Sequence, residues 1–156
     1  MPATPKYRAL TTQELHELEK EFIEYLIVNG ITAGDWVKIK QNEPDKAESI
    51  LILFSDVVFE GTLRKISFLE KRLPNELLIF QCLKDRIVLV GITSPSVDFT
   101  DQTSLEQAVN KPPGDAMVYT TEKSYSQVRE MELFKMIDSG CTITDGKLFK
   151  TLSLAL

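Results

Sequence analysis

The chain has 156 residues, 43% apolar and 26% charged, the proportions of a globular domain that buries a core without disulfides or metals. Eighteen basic against 23 acidic residues give a net charge of −5, which argues against nonspecific adhesion to nucleic acid or anionic membrane but leaves room for a local basic patch. Two cysteines and a single histidine supply little material for a disulfide scaffold, a zinc centre or a histidine-based nucleophile.

Residues 1–9, with Pro2 and Pro5, read as a flexible tail ahead of a single domain over residues 10–156. Thr11 followed by Glu14 is a capping-box pattern, and it opens a helix that runs to about Asn29 with Gly30 as its C-terminal stop. The apolar stripe of this helix is Leu15, Leu18, Phe22, Tyr25 and Leu26, with charged residues on the other side. His16 falls off the stripe and is expected to face solvent. Thr32 and Asp35 open a second, short helix through Trp36, Val37 and Ile39 to about Gln41.

From Pro44 to Pro74 the sequence predicts one long helix with two apolar stripes. Ala47, Ile50, Leu51, Phe54, Val57, Val58, Gly61, Phe68 and Leu69 make one, and Ile52, Phe59, Leu63 and Ile66 the other. Pro44 suits a first turn, and Pro74 disfavours helix at the residue before it. Asp56, Glu60, Arg64 and Lys65 exclude a membrane span. Gly61 either permits close approach of another backbone or breaks the helix in two.

Beyond Pro74 the character changes. Leu77–Leu83 and Ile87–Thr93 read as strands joined by a turn at Lys84, Asp85 and Arg86, and both are apolar on both faces, which predicts a covered sheet. Residues 94–115 read as a polar surface excursion with a short helical turn over 104–109, and Ala116–Thr121 as a third strand. Ser124 or Ser126 is expected to cap a helix through Val128, Met131, Phe134 and Ile137 that stops near Gly140. The last residues, Thr144–Leu156, fit a helix with Leu148, Phe149 and Leu152 inward, although Asp145-Gly146 also permits a hairpin. The predicted class is α+β: an N-terminal helical layer with a long central helix, then a small, mainly antiparallel sheet and C-terminal helices.

Chemistry-bearing motifs are sparse. There is no glycine-rich phosphate loop and no paired-cysteine metal spacing, so neither a cofactor nor a metal site is expected. Cys82 and Cys141 are expected as free structural thiols. Asp98, Asp101, Glu106 and Asp115 are the carboxylates available to an acid–base site, but solvated loop acids are the ordinary reading. The best positive constellation is basic: Arg64, Lys65, Lys71 and Arg72 on one side of the end of the long helix, with Lys84 and Arg86 in the hairpin turn either near them or at the opposite end of the sheet. Such cations also complement a helix C-terminus without binding anything.

The runs TTQELHELEKEFIEYLIVNGITAGDWVKIK and PDKAESILILFSDVVFEGTLRKISFLEKR, with GCTITDGKLFK, resemble an uncharacterised family of small proteins from Bacteroidota. The resemblance implies a bacterial, cytosolic protein complete at about this length and supplies no catalytic or binding residues. The functional expectation is a non-enzymatic interaction or assembly module whose partner is a protein, another copy of the chain included. A nucleic-acid or ribosome-associated factor using the basic residues is the second reading, and a small enzyme using loop carboxylates or Cys141 the third. No membrane association is expected.

Overall fold

The computed structural model describes residues 2–156 and divides into two compact units, with the boundary between Thr62 and Leu63. The described residues form seven helices and one five-stranded antiparallel sheet, an α+β protein.

The first unit is helical. Helices α1 (Thr12–Glu17) and α2 (Glu19–Val28) come from the segment expected as one helix; at Leu18 the backbone leaves helical geometry, with φ −103° and ψ 20°. Both capping boxes form: Thr11 with Glu14 on α1, and Thr32 with Asp35 on α3 (Ala33–Asn42). Gly30, at φ 75°, closes α2 in a left-handed turn in which Ile31 N–H donates to Leu26 O and Gly30 N–H to Ile27 O. Residues 3–10, ahead of α1, run along α4 (Pro44–Arg64): Ala3 N–H donates to Ser49 Oγ, Lys6 N–H to Asp56 Oδ1 and Leu10 N–H to Ser55 Oγ, while the Tyr7 hydroxyl bonds Glu60. Phe22 packs edge-on and Tyr25 tilted against Phe54, at ring-centre distances of 5.0 and 5.3 Å.

α4 ends ten residues before Pro74 because the chain turns at Lys65–Ser67 and enters β1 (Phe68–Leu73). Pro74 and Asn75 make the turn into β2 (Glu76–Cys82) rather than stopping a helix. Gly61 does not break α4, and no backbone approaches it: a Cβ built there meets nothing within 4 Å. Of the second stripe, Ile52, Leu63 and Ile66 are buried and Phe59 is half-buried, so it is no open surface.

In the second unit the strand order is β4-β3-β2-β1-β5, with β3 (Arg86–Thr93), β4 (Met117–Ser124) and β5 (Thr142–Thr144). The β2–β3 hairpin turns at Leu83–Asp85, one residue earlier than expected, with Arg86 already in β3. One sheet face carries Leu77, Ile79, Val90 and Ile92, all essentially inaccessible, packed with Phe99, α5 (Gln102–Asn110) and α7 (Lys147–Ser153). The segment expected as a polar excursion therefore contributes to the core, since Phe99, Leu105 and Val109 are buried in it. The opposite face carries Leu69, Phe80, Ile87 and Leu89. Helix α6 (Arg129–Asp138) has Val128 at its N-cap with no side-chain cap, in place of the expected serine; Ser126 N–H instead donates to Glu132.

Arg129 ties the turns of this unit together. Its guanidinium donates to the carbonyls of Leu63, Ile66, Cys82 and Leu83, gathering oxygens from the end of α4, the turn after it and the β2–β3 turn onto one planar fork.

Candidate functional site

The four predicted basic residues do not assemble. Arg64 is the last residue of α4 and Lys65 lies in the following turn, while Lys71 and Arg72 are consecutive on β1, not on the helix, and so point to opposite faces of the sheet. Arg72 is committed within the fold: Nε donates to Glu70 Oε1 at 2.9 Å and a terminal nitrogen to Gln102 Oε1 at 2.6 Å. Lys71 lies beside Gly140 and next to Cys141, whose thiol burial pushes up and Lys71 pulls down. Arg86 pairs with Glu122 and Asp85.

The loop carboxylates are likewise occupied. Asp101 caps α5 through Ser104 N–H and Oγ, Asp98 holds Thr100, and Asp115 accepts from the buried Ser94 hydroxyl. Cys82 and Cys141 are free and buried, and burial pushes the Cys82 thiol up to about 11, the reverse of nucleophile activation. Among the described residues no group of three or more His, Cys, Asp or Glu side chains is placed to hold a metal ion, and no helix is long and apolar enough to cross a membrane.

The feature left unexplained by folding lies on the α2–α3 hairpin. The left-handed turn at Gly30 and the capping box at Thr32 reverse the chain between the two helices within four residues. The edge of Trp36 meets Phe22 at 5.2 Å, which sets the register of the pair. Between them lies an open groove of about 380 Å³ with Leu26 and Ile31 at its base and Ile23, Ile27 and Val37 on its walls. These walls are exposed: 48% for Ile23, 64% for Ile27 and 47% for Val37, with Val28 beyond them at 85%. A run of aliphatic side chains in water at this density is unusual on a surface without a partner. Glu19 and Lys40 line the same groove. With Phe22 opposite Trp36, the hairpin register brings Glu19 opposite Lys40 at the end remote from the turn. Lys40 also leans over the Trp36 ring, its Nζ 5.7 Å from the ring centre.

Sequence reasoning assigned Phe22, Tyr25 and Leu26 correctly to the packed stripe but passed over Ile23 and Ile27. Their signal was present: apolar residues at i and i+4, displaced from the core stripe onto the face expected to be charged.

An antiparallel sheet with helices before, between and after its strands defines the class as α+β. Within that class, a family model described as a family of unknown function (DUF6495) matches residues 1–156, and the chain belongs to that family. No curated protein and no solved structure matches the chain.

Proposed function

We propose that this protein is a non-enzymatic interaction module of the bacterial cytosol that docks a protein helix in the groove between α2 and α3. The observation that supports the reading is the exposure of Ile23, Ile27 and Val37 around a groove whose base is held rigid by the Phe22–Trp36 and Phe22–Phe54 contacts. An apolar trough between two helices fits the apolar face of a third helix, which inserts side chains at i, i+3 or i+4 and i+7. The dispersed and paired cations of the second unit favour this over a nucleic-acid surface, which needs a continuous basic track.

A photo-crosslinking residue placed at Val37 or Ile27 in the full chain tests the reading. In cells it is expected to give a discrete protein adduct that Ile23→Glu abolishes and that the same probe at exposed Lys46 does not give. Absence of an adduct at both groove positions, or equal labelling at Lys46, overturns it.

A further inference from the structure

We infer that the occupant of the α2–α3 groove is the same hairpin of a second copy, the two pairs of helices packing as an intermolecular four-helix layer about a two-fold axis parallel to the helices. This rests on the docking reading above and names its partner. The disposition of charge selects this partner. Glu19 lies on α2 and Lys40 on α3, opposite one another at one end of the groove, whereas the other end carries Ile27 and Ile31. A two-fold axis parallel to the hairpin sets α2 of one copy against α3 of the other and keeps the ends together, so each Glu19 meets the second copy's Lys40 and each Ile27 meets an apolar wall. The other face-to-face two-fold reverses the ends and presses charged Glu19 and Lys40 onto the Ile27–Ile31 end. Only the first arrangement is self-complementary, the condition for an isologous contact. Pairing of opposite charges flanking an apolar seam fixes orientation and partner choice.

The small surface argues for a weak contact. Stable interfaces take about 20–30 residues from each side, and the groove is lined by ten, from Glu19 to Lys40. The dimer is therefore expected to be weak and reversible, with dissociation at micromolar rather than nanomolar concentration.

Sedimentation velocity on the full chain from about 1 to 200 μM tests the proposal, read alongside the emission of Trp36, the single tryptophan and itself part of the groove. A concentration-dependent monomer–dimer shift is expected, accompanied by a blue shift of Trp36 emission. Ile27→Asp, at an exposed position where the fold bears the change, should weaken dimerisation about a hundredfold and remove the blue shift. Glu19→Lys and Lys40→Glu should each weaken it about tenfold, and the double exchange should restore it. A monomer throughout the range, or a dimer indifferent to Ile27→Asp, overturns the second copy as occupant. Rescue failing in the double exchange overturns the two-fold parallel to the helices. If the crosslink at Val37 joins the chain to a different protein while sedimentation shows only monomer, this inference fails and the docking reading stands; if neither experiment finds a partner, both fail.

Discussion

Replacing Gly91 by alanine probes how the sheet face opposite α5 and α7 is organised, because the outcome depends on one aromatic ring. Gly91 is buried in β3, paired with Leu78 of β2 and Tyr119 of β4. A Cβ built there lies 2.4 Å from Tyr119 Cζ and 2.5 Å from its oxygen, while the ring hydroxyl donates to Glu76 Oε2 at 2.9 Å. Alanine in a strand otherwise gains about 0.5–1 kcal/mol over glycine. Here the ring must lift by about 1 Å to restore ordinary contact, which carries it off Glu76; losing a hydrogen bond to a charged group costs about 1.5–3 kcal/mol, and overpacking about 1–3. Because Tyr119 is half-exposed and its far end can swing, the low ends of these ranges apply, leaving Gly91→Ala destabilising by about 1–3 kcal/mol. In a chain of this length that lowers Tm by about 2–4 °C for each kcal/mol.

Two assays check the cause rather than the size. In a Tyr119→Ala background the ring is gone, so Gly91→Ala should turn stabilising by about 0.5 kcal/mol, a reversal of sign within one double-mutant cycle. Burial and the bond to Glu76 push the Tyr119 phenol up to about 12 from the usual 10, so lifting the ring should bring its tyrosinate absorbance transition back toward ordinary pH. A raised folded value means that this contribution is complete below about pH 10 and is lost as pH climbs through about 12. Gly91→Ala that is neutral by itself, or equally costly with and without Tyr119, would show that the ring is not what excludes a side chain at position 91.

Arg129→Met removes the donor shared by four carbonyls and should cost about 3 kcal/mol or more in urea denaturation; Arg129→Lys should fail to restore it, because one ammonium cannot span the fork. Gly61→Ala should stabilise the protein by about 0.5–1 kcal/mol, because its added methyl enters open space on a helix; a loss of stability would mean that another group occupies that space in solution. The Arg8 guanidinium and the Thr11 N–H hold the Glu14 carboxyl down at about 2, so its contribution is present above the ordinary value of 4.5 and is lost as pH falls toward 2. Glu14→Gln should accordingly lower Tm at neutral pH and converge on the parent protein near pH 2; a constant difference across that window counts against the pair.

What was legible in the sequence was chemistry confined to a few neighbouring residues. Both capping boxes and the left-handed stop at Gly30 formed where expected, and the β2–β3 turn within one residue of its expected place, because each is decided by side chains within one turn of the site they control. The overlong helix failed for the opposite reason. Phe68–Leu73 is rich in Leu, Glu, Lys and Arg, all good helix formers, and nothing at Lys65–Ser67 announces a turn. Its strand state is imposed by pairing with Gln81–Glu76 on one edge and Thr144–Thr142 on the other, partners that no local pattern reveals. The basic cluster dissolved with that helix, since a period near 3.6 places Lys71 and Arg72 on one side and a period of 2 separates them.

The groove, too, lies outside what the core of its helix requires. On α2 the core needs only the stripe Phe22, Tyr25 and Leu26, and the fold would be served by polar residues at positions 23, 27 and 28. Ile23, Ile27 and Val28 stand there instead, beside Val37 of α3, on a unit that holds six basic against eleven acidic residues and so carries the whole net charge of the chain. Exposed aliphatic side chains on an otherwise charged helix contribute nothing to this unit's own core, and they invite association whenever a complementary face is near. Replacing Ile23 and Ile27 together by glutamine should therefore leave the unfolding free energy within about 1 kcal/mol of the parent, and the same pair should reduce aggregation on concentration. A large loss of stability would place these residues in the core and remove the reason for assigning them a partner.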